Sequence, residues 1–141
     1  MLAQAAAPVA NRLVLVIDDD PAVRNSLKFS LEVEGFTVRD YSSANELLRE
    51  SEIVDAGCLV IDYHLPEMNG LEVLNRLRQR RVAVPAILIT SHPSAFVRRR
   101  AAEAGVAIVE KPLLGNALVE GIRNAFATLM LVEPAPRGAG T

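Results

Sequence analysis

The chain contains three continuous apolar runs, and each run is followed by a residue whose side chain can bind a ligand or react. The runs are Leu13–Ile17, Cys58–Ile61 and Ala86–Ile89, and the residues that follow them are Asp18, Asp62 and Thr90. A run of this length that contains β-branched residues is typical of a strand buried on both faces. The pattern therefore predicts the central strands of a parallel sheet that helices cover on both sides.

Two weaker segments and a set of helices complete the predicted fold. Phe36–Asp40 alternates apolar and polar residues, as an edge strand does, and Val106–Val109 is a short fifth strand. The predicted helices follow Asp20, cover Ala44–Glu50, follow Gly70, cover Phe96–Gly105 and run from Leu114 to Leu131. Strands that alternate with helices predict one α/β domain with a doubly wound, five-stranded parallel sheet and five helices.

The first predicted helix has a single apolar stripe. Val23, Leu27 and Leu31 recur every four residues, and we expect them to face the core. The positions beside the stripe, Arg24 among them, are expected to face solvent. Asp20 precedes a proline, a pairing typical of a helix N-cap and its first residue, so we interpret Asp20 as a cap.

The predicted sheet brings its polar strand ends to one edge. In open α/β sheets ligands bind outside the carboxyl ends of the strands, and here that edge carries Asp18, Asp19, Asp62, Thr90 and Lys111. Two carboxylates about 4 Å apart repel by about 4 kcal/mol at an effective dielectric of 20, so a cluster of ionised carboxylates needs a cation. Oxygen ligands suit Mg²⁺. A lysine and a hydroxyl beside them predict phosphoryl chemistry at a carboxylate.

These residues resemble the receiver domain of bacterial two-component response regulators. The resemblance covers about Arg12 to Leu131, and it looks closest to the receiver part of nitrogen-fixation-type regulators. It rests on four motifs, which are Val16–Asp20, Asp62–Gly70, Ile89–Ser91 and Glu110–Pro112. The resemblance implies a flavodoxin-like strand order, 2-1-3-4-5.

The resemblance also implies a role for each acidic residue. Asp62 would accept a phosphoryl group from a sensor histidine kinase or a phosphotransfer protein. Asp18, Asp19, Asp62 and the backbone carbonyl of His64 would hold Mg²⁺. The chain would then be a phosphoacceptor signalling domain and not an enzyme, because it would assist only its own phosphotransfer and dephosphorylation.

The phosphoryl group has its own implied contacts. Thr90 and Lys111 would contact its oxygens, and the backbone N–H groups of Tyr63, His64 and Ser91 would complete the cradle. In this family the bond between Lys111 and the following proline would be cis.

Three positions refine this interpretation. Ile108 lies three residues before Lys111, where the family usually has tyrosine or phenylalanine. We therefore do not expect the family's aromatic coupling to the face formed by the fourth helix, the fifth strand and the fifth helix. His64 and His92 lie two residues after Asp62 and Thr90. In the family these two positions border the path of the water that hydrolyses the acyl phosphate, and we hypothesise that the histidines tune its lifetime.

Two alternatives stay open at this point. Asp18, Asp19 and Asp20 can be read as the Asp-x-Asp signature of a haloacid-dehalogenase-type phosphatase, although no aspartate follows Lys111 to supply that family's late acidic motif. A pseudo-receiver that never accepts phosphate is the other alternative, and Ile108 favours it. The intact set of acidic residues, threonine and lysine favours an active receiver over both.

Composition bounds the class of protein. The chain has 141 residues, 50% hydrophobic and 23% charged, with net charge −2, and the count of apolar residues in any run stays below the ~18 that a membrane span needs. We therefore expect a cytoplasmic protein with no membrane partner and no direct nucleic-acid partner. Cys58 is the single cysteine, which excludes a disulfide framework.

The ends of the chain complete the expected organisation. We expect a flexible segment over 1–11, the receiver domain over 12–132 and a disordered tail over 133–141. Since the chain ends soon after the last helix, we expect a stand-alone receiver that acts by protein contact. A second apolar strip on that helix, formed by Val119, Phe126 and Met130, suggests a homodimer surface.

Overall fold

Five parallel strands form the centre of the part of the chain that the structure describes. The structure is a computed structural model that describes residues 13–50, 56–113 and 115–132, with side chains as far as residue 127. The strands are β1 (Leu13–Ile17), β2 (Thr37–Tyr41), β3 (Cys58–Asp62), β4 (Ala86–Thr90) and β5 (Ala107–Glu110). Their order in the sheet is β2-β1-β3-β4-β5, which confirms the predicted order.

Within the described residues, four helices connect the strands and a fifth helix follows the last strand. They are α1 (Pro21–Val33), α2 (Ala44–Leu48), α3 (Gly70–Gln79), α4 (Ala95–Glu103) and α5 (Ala117–Val132). The first four begin where a short polar side chain accepts a hydrogen bond from a backbone N–H of the first turn, and these caps are Asp20, Ser43, Asn69 and Ser94. The capping role predicted for Asp20 is confirmed.

The alternation of side chains along the strands builds one core on each face of the sheet. On one face, residues such as Leu15, Ile61 and Leu88 pack against α2, α3 and α4. On the other face, residues such as Val16 and Ile89 pack against α1 and α5. Since β1, β3 and β4 are buried along their whole length, both faces need helices, as the apolar runs predict.

The register of the strands sets the heights of the strand ends. Ile17 pairs with Ile61, so the aspartates that come next, Asp18 and Asp62, leave β1 and β3 at the same level. Asp62 pairs with Ile89, so Thr90 lies one residue beyond it, and Lys111 follows the pairing of Thr90 with Glu110. The parallel register therefore brings the polar ends of the strands to one edge of the sheet, at levels that rise by one residue from β3 to β4 and again from β4 to β5.

Some predicted boundaries shift, for a common reason. The β2 and β5 strands begin one residue later than predicted, because the N–H groups of Phe36 and Val106 close the preceding helices on the carbonyls of Leu31 and Ala101. These closures follow Gly35 and Gly105, whose φ angles are 99° and 72°.

Three predicted helices are shorter than expected at one end. The second ends at Leu48, the fourth ends at Glu103 and the last begins at Ala117. Leu114, where we expected the last helix to start, lies outside the described residues, as do the expected flexible segment 1–11 and tail 133–141. None of the helices within the described ranges is long and apolar enough to cross a bilayer.

Candidate functional site

Three carboxylates meet at the carboxyl edge of the sheet. One oxygen from each of Asp18, Asp19 and Asp62 lies within 4.8 Å of the other two. Asp18 is fully buried and Asp62 is 5% exposed, whereas Asp19 faces solvent. The register of the strand ends therefore produces the predicted acidic cluster, in which two carboxylates are buried and one is exposed to water.

The side-chain ammonium group of Lys111 reaches this cluster. Its Nζ donates to Asp62 Oδ2 at 3.3 Å and lies 3.5 Å from Asp18 Oδ2. Its backbone N–H donates to the Thr90 carbonyl at 2.8 Å, which fixes the start of the loop after β5. The bond between Lys111 and Pro112 is cis, as the family resemblance implies. One lysine thus faces two buried carboxylates, which leaves negative charge in excess.

Asp18 has the most constrained carboxylate. Its Oδ1 accepts a hydrogen bond from the Asp20 N–H at 2.9 Å. Its Oδ2 is close enough to Lys111 for a charge contact but has no hydrogen-bond donor among the described residues. Burial raises the pKa of Asp18 above its ordinary value, and the neighbouring charge of Asp62 raises it further, while the Asp20 N–H and Lys111 oppose the rise.

The cluster fits a hard divalent cation. An unbonded, buried carboxylate oxygen costs free energy unless a donor or a cation meets it. The side chains that converge here offer oxygen atoms only, and such a set suits Mg²⁺, which keeps several waters and takes one or two carboxylates from the protein. Asp18, Asp19 and Asp62 are therefore suitable ligands, and the His64 carbonyl stays a predicted one.

The loops around Asp62 and Thr90 supply hydrogen-bond donors. The His64 N–H donates to Asp62 Oδ1 at 3.2 Å. The Thr90 hydroxyl is buried, and among the described residues its one hydrogen bond is a long one of 3.4 Å to the Ser91 carbonyl. The expectation that the Tyr63 N–H faces the site is wrong, because this group donates to the Ile89 carbonyl at 2.9 Å and so extends the sheet.

Gly70 keeps the loop after Asp62 tight. Its N–H donates to the Tyr63 carbonyl at 2.9 Å, which closes the loop onto the start of α3. A Cβ atom at this position would lie 2.9 Å from the Asp62 carbonyl oxygen and 2.7 Å from a methyl group of Leu88. Only glycine leaves room for α3 to begin directly against the strand that carries Asp62.

The structure also corrects the interpretation of Arg24. Its side chain does not face solvent as predicted; the guanidinium is largely buried and donates to the backbone carbonyl of Asp18 and to the carboxylate of Asp40. Helical periodicity gives no sign of this contact, because Arg24 is adjacent to the apolar stripe and a long side chain can reach past it. The available signal was its position, one turn after an acidic strand end.

Two further expectations concern the last strand and the last helix. Ile108 is half-buried and packs against the core on the α2–α4 side of the sheet. Val119 and Phe126, from the strip on the last helix, pack against the core on the other side, and the Phe126 ring lies 5.5 Å from that of Phe36. These two residues are thus partly covered by the same chain, whereas the side chain of Met130 lies outside the described residues.

Comparison with known proteins gives consistent matches. The model of the response regulator receiver domain family matches residues 14–123. The transcriptional regulatory protein FixJ of Rhizobium meliloti is 36% identical over 121 residues, which cover 85% of this chain and 59% of that protein. FixJ of Azorhizobium caulinodans is 38% identical over 111 residues, which cover 78% of this chain and 53% of that protein.

A solved structure has the same fold. The crystal structure of FixJ-N superimposes with a TM-score of 0.74 at 33% identity, and the match covers 82% of this chain and 93% of that chain. The chain spans somewhat more than half the length of the two curated relatives.

Proposed function

Because this chain belongs to the response regulator receiver domain family, we propose that it accepts a phosphoryl group on Asp62 in the presence of Mg²⁺. The donor would be a sensor histidine kinase or a phosphotransfer protein. The observation that supports this proposal is the position of Asp62, whose carboxylate lies 3.3 Å from Lys111 Nζ and within 4.8 Å of a carboxylate oxygen from each of Asp18 and Asp19. The match to the receiver family speaks against the phosphatase alternative.

The transfer would be a displacement at phosphorus. A carboxylate oxygen of Asp62 would attack the phosphorus of a phosphohistidine, so that a P–O bond forms while the P–N bond breaks. The imidazole nitrogen of the donor keeps the electron pair and takes a proton from solvent. In the reverse direction of the switch, a water oxygen attacks the phosphorus, the acyl P–O bond breaks, and the Asp62 carboxylate and inorganic phosphate are released.

The residues of this chain would hold and neutralise the transferred group. The Lys111 ammonium, now 3.3 Å from Asp62, would pair with a phosphoryl oxygen. The Thr90 hydroxyl and the His64 N–H would donate to the others, since the hydroxyl has only a weak partner. Bound Mg²⁺ would supply further positive charge against the phosphoryl oxygens, held by Asp18, Asp19, Asp62 and the His64 carbonyl.

A groove beside the site offers a place for the donor. It has a volume of about 440 Å³ and lies between α1 and the segment that leads into α5. Its lining is mostly apolar, it includes Val23, Leu27 and Leu118, and Lys111 lies at its wall. A helix of the donor that fills this groove would bring its phosphohistidine toward Asp62, because the lysine in the wall of the groove contacts that carboxylate.

The response would pass through Lys111 to the last strand and to α4. Phosphorylation adds about 1.5–2 negative charges, which would draw Lys111 and the Thr90 hydroxyl toward Asp62. Glu110, next to Lys111 in the chain, forms an ion pair with Arg98 of α4. A shift of Lys111 would therefore reach α4 and change protein contacts on that face.

The partners beyond the donor are open to experiment. A stand-alone mode of action and a cytoplasmic location stay predictions. A homodimer through α5 also stays a prediction, and the inward packing of Val119 and Phe126 reduces the apolar surface available for it.

Labelling with a small phosphodonor tests the central proposal. Acetyl phosphate and Mg²⁺ should add one phosphoryl group to the protein, as measured by intact mass, and Asp62→Asn should abolish the addition. The matched control is Asp20→Asn, because Asp20 is a neighbouring acidic residue whose capping role asparagine can fill. Labelling that survives Asp62→Asn would place the acceptor elsewhere, and an unlabelled wild-type protein would support a pseudo-receiver.

A further inference from the structure

Arg24 is less exposed than four other arginines of the described residues that form ion pairs. Its side chain is 16% exposed, whereas those of Arg76, Arg98, Arg100 and Arg123 are between 47% and 57% exposed. Desolvating a guanidinium costs free energy, which its partners must offset. The partners of Arg24 therefore show what the buried charge is used for.

The guanidinium of Arg24 makes two hydrogen bonds in different directions. Nη1 donates to the backbone carbonyl of Asp18 at 2.7 Å, and Nε donates to Asp40 Oδ2 at 3.1 Å. Asp40 belongs to the edge strand β2, Arg24 to α1 and Asp18 to the end of β1. The planar guanidinium thus connects three elements at a single point, which an ammonium group cannot do with the same geometry.

The carbonyl that Arg24 holds belongs to the peptide that joins Asp18 to Asp19. The N–H of Asp18 donates to the Tyr41 carbonyl at 3.2 Å, so the backbone of Asp18 is held on both sides. The orientation of the Asp18–Asp19 peptide sets where the Asp19 side chain starts. It also sets the direction of the Asp18 carboxylate, one oxygen of which accepts from the N–H of Asp20.

We infer that Arg24 is a positioning residue for the cation site, which fixes the Asp18–Asp19 peptide through the Asp18 carbonyl while Asp40 fixes the guanidinium. This inference rests on the proposed function, since it concerns how the site binds Mg²⁺. Arg24 does not touch the cation in this account. Its effect passes through the backbone that carries two of the three carboxylates.

Two physical effects of removing Arg24 have opposite signs, and this makes the inference testable. A positive charge close to the site repels a divalent cation, so the loss of the charge alone would strengthen Mg²⁺ binding. The loss of positioning would weaken it, because the carboxylates would have to be ordered when the cation binds. Substitution of groups that orient metal ligands typically costs 10- to 100-fold in affinity, roughly.

The experiment is a Mg²⁺ titration of the full chain by calorimetry. We expect Arg24→Gln to weaken binding by about tenfold, and Arg24→Lys, which keeps the charge but not the fork, to fall between Arg24→Gln and the wild type. Arg123→Gln is the matched control, because it removes the same charge from an ion pair with Glu34 on the surface. It should leave the dissociation constant for Mg²⁺ unchanged.

A second readout needs no cation. Without Mg²⁺, the amide hydrogen of Asp18 should exchange faster in Arg24→Gln than in the wild type, while amides in the middle of β3 keep their protection. Faster exchange confined to the end of β1 is the signature of lost local positioning. A purely structural role would instead lower protection across the whole sheet and leave the Mg²⁺ affinity of the folded protein unchanged.

The outcomes separate this inference from the function on which it rests. A wild-type protein that fails to bind Mg²⁺ overturns the proposed function and the inference together. A wild-type protein that binds Mg²⁺, with Arg24→Gln binding equally well or more tightly, overturns the inference alone. If Arg24→Gln does not fold, Arg24→Lys decides: affinity equal to that of the wild type contradicts positioning by the guanidinium fork.

Discussion

The two sides of the carboxyl edge differ in how firmly they are held. On one side, β1 and β3 are buried along their whole length and end in Asp18 and Asp62. On the other side, β5 is an edge strand with partly exposed residues, and α4 buries only Val97 and Ala101. Asp18 and Asp62, which we propose bind Mg²⁺ and accept the phosphoryl group, are thus fixed in the core, on what we call the firm side. The elements that would respond have fewer buried contacts and cost less to move.

Lys111 connects these two sides. It follows β5, and its ammonium group reaches the carboxylates at the ends of β1 and β3. Within the described residues it is the cation that forms ion pairs with both of these buried carboxylates. A change of charge at Asp62 would therefore act first on the loosely held side, which is a suitable arrangement for a switch.

The largest expected effect is a loss of stability that tests the difference in packing between the two sides. Leu88 of β4 and Ile108 of β5 are paired across the two strands, but Leu88 is fully buried and Ile108 only partly. Leu88→Ala should lower the free energy of unfolding by about 2–5 kcal/mol. Ile108→Ala should lower it by less than half as much, because less apolar surface leaves the core.

Urea unfolding of both variants without Mg²⁺ measures this difference. Because the two residues face each other across one pair of strands, each variant is the control for the other. Equal losses of stability would mean that β5 is held as firmly as the centre of the sheet, and the contrast between the two sides would be lost.

The sequence predicts the buried strands of the firm side well, but it predicts poorly the hydrogen bonds that connect these strands to other elements. The apolar runs and their terminal aspartates follow from burial on both faces, so the positions of Asp18 and Asp62 could be predicted from pattern alone. The contacts of Arg24 could not, because a long, flexible side chain adjacent to an apolar stripe can turn toward solvent or toward the sheet. The Tyr63 N–H was also misassigned, since only the strand register shows that β3 continues its pairing beyond Asp62.

The next effect concerns the buried carboxylate of Asp18 on the firm side. Burial raises the pKa of Asp18 above its ordinary value of 3.8, so the folded chain binds more protons than the unfolded chain just above pH 3.8. In the metal-free protein, this group therefore lowers the free energy of unfolding as pH rises from 3.8 through its raised pKa. Asp18→Asn should remove this contribution and stabilise the metal-free protein at neutral pH by about 1–3 kcal/mol.

Urea unfolding in the presence of a chelator, at a series of pH values, tests this expectation. Asp20→Asn is the control, because Asp20 is exposed and asparagine caps a helix as well as aspartate does. If Asp18→Asn leaves the pH dependence as it is in the wild type, the buried carboxylate is not its source. Added Mg²⁺ should stabilise the wild type but not Asp18→Asn.

The smallest expected effect concerns the two loops that follow Asp62 and Thr90, each of which carries one histidine. His64 and His92 are exposed, they follow Asp62 and Thr90 by two residues, and His92 has a φ of 46°. If they order or exclude the attacking water, replacing both with alanine should change the rate of acyl phosphate hydrolysis by up to about tenfold, or about 1.4 kcal/mol.

Labelling by acetyl phosphate should keep its wild-type rate, because neither side chain bonds to the carboxylates of the firm side among the described residues. The decay of the phosphorylated mass after removal of the donor measures the effect, and single substitutions assign it to one of the two loops. Decay identical to that of the wild type would show that the loops position the water without these side chains, so that the lifetime is set by the buried cluster alone.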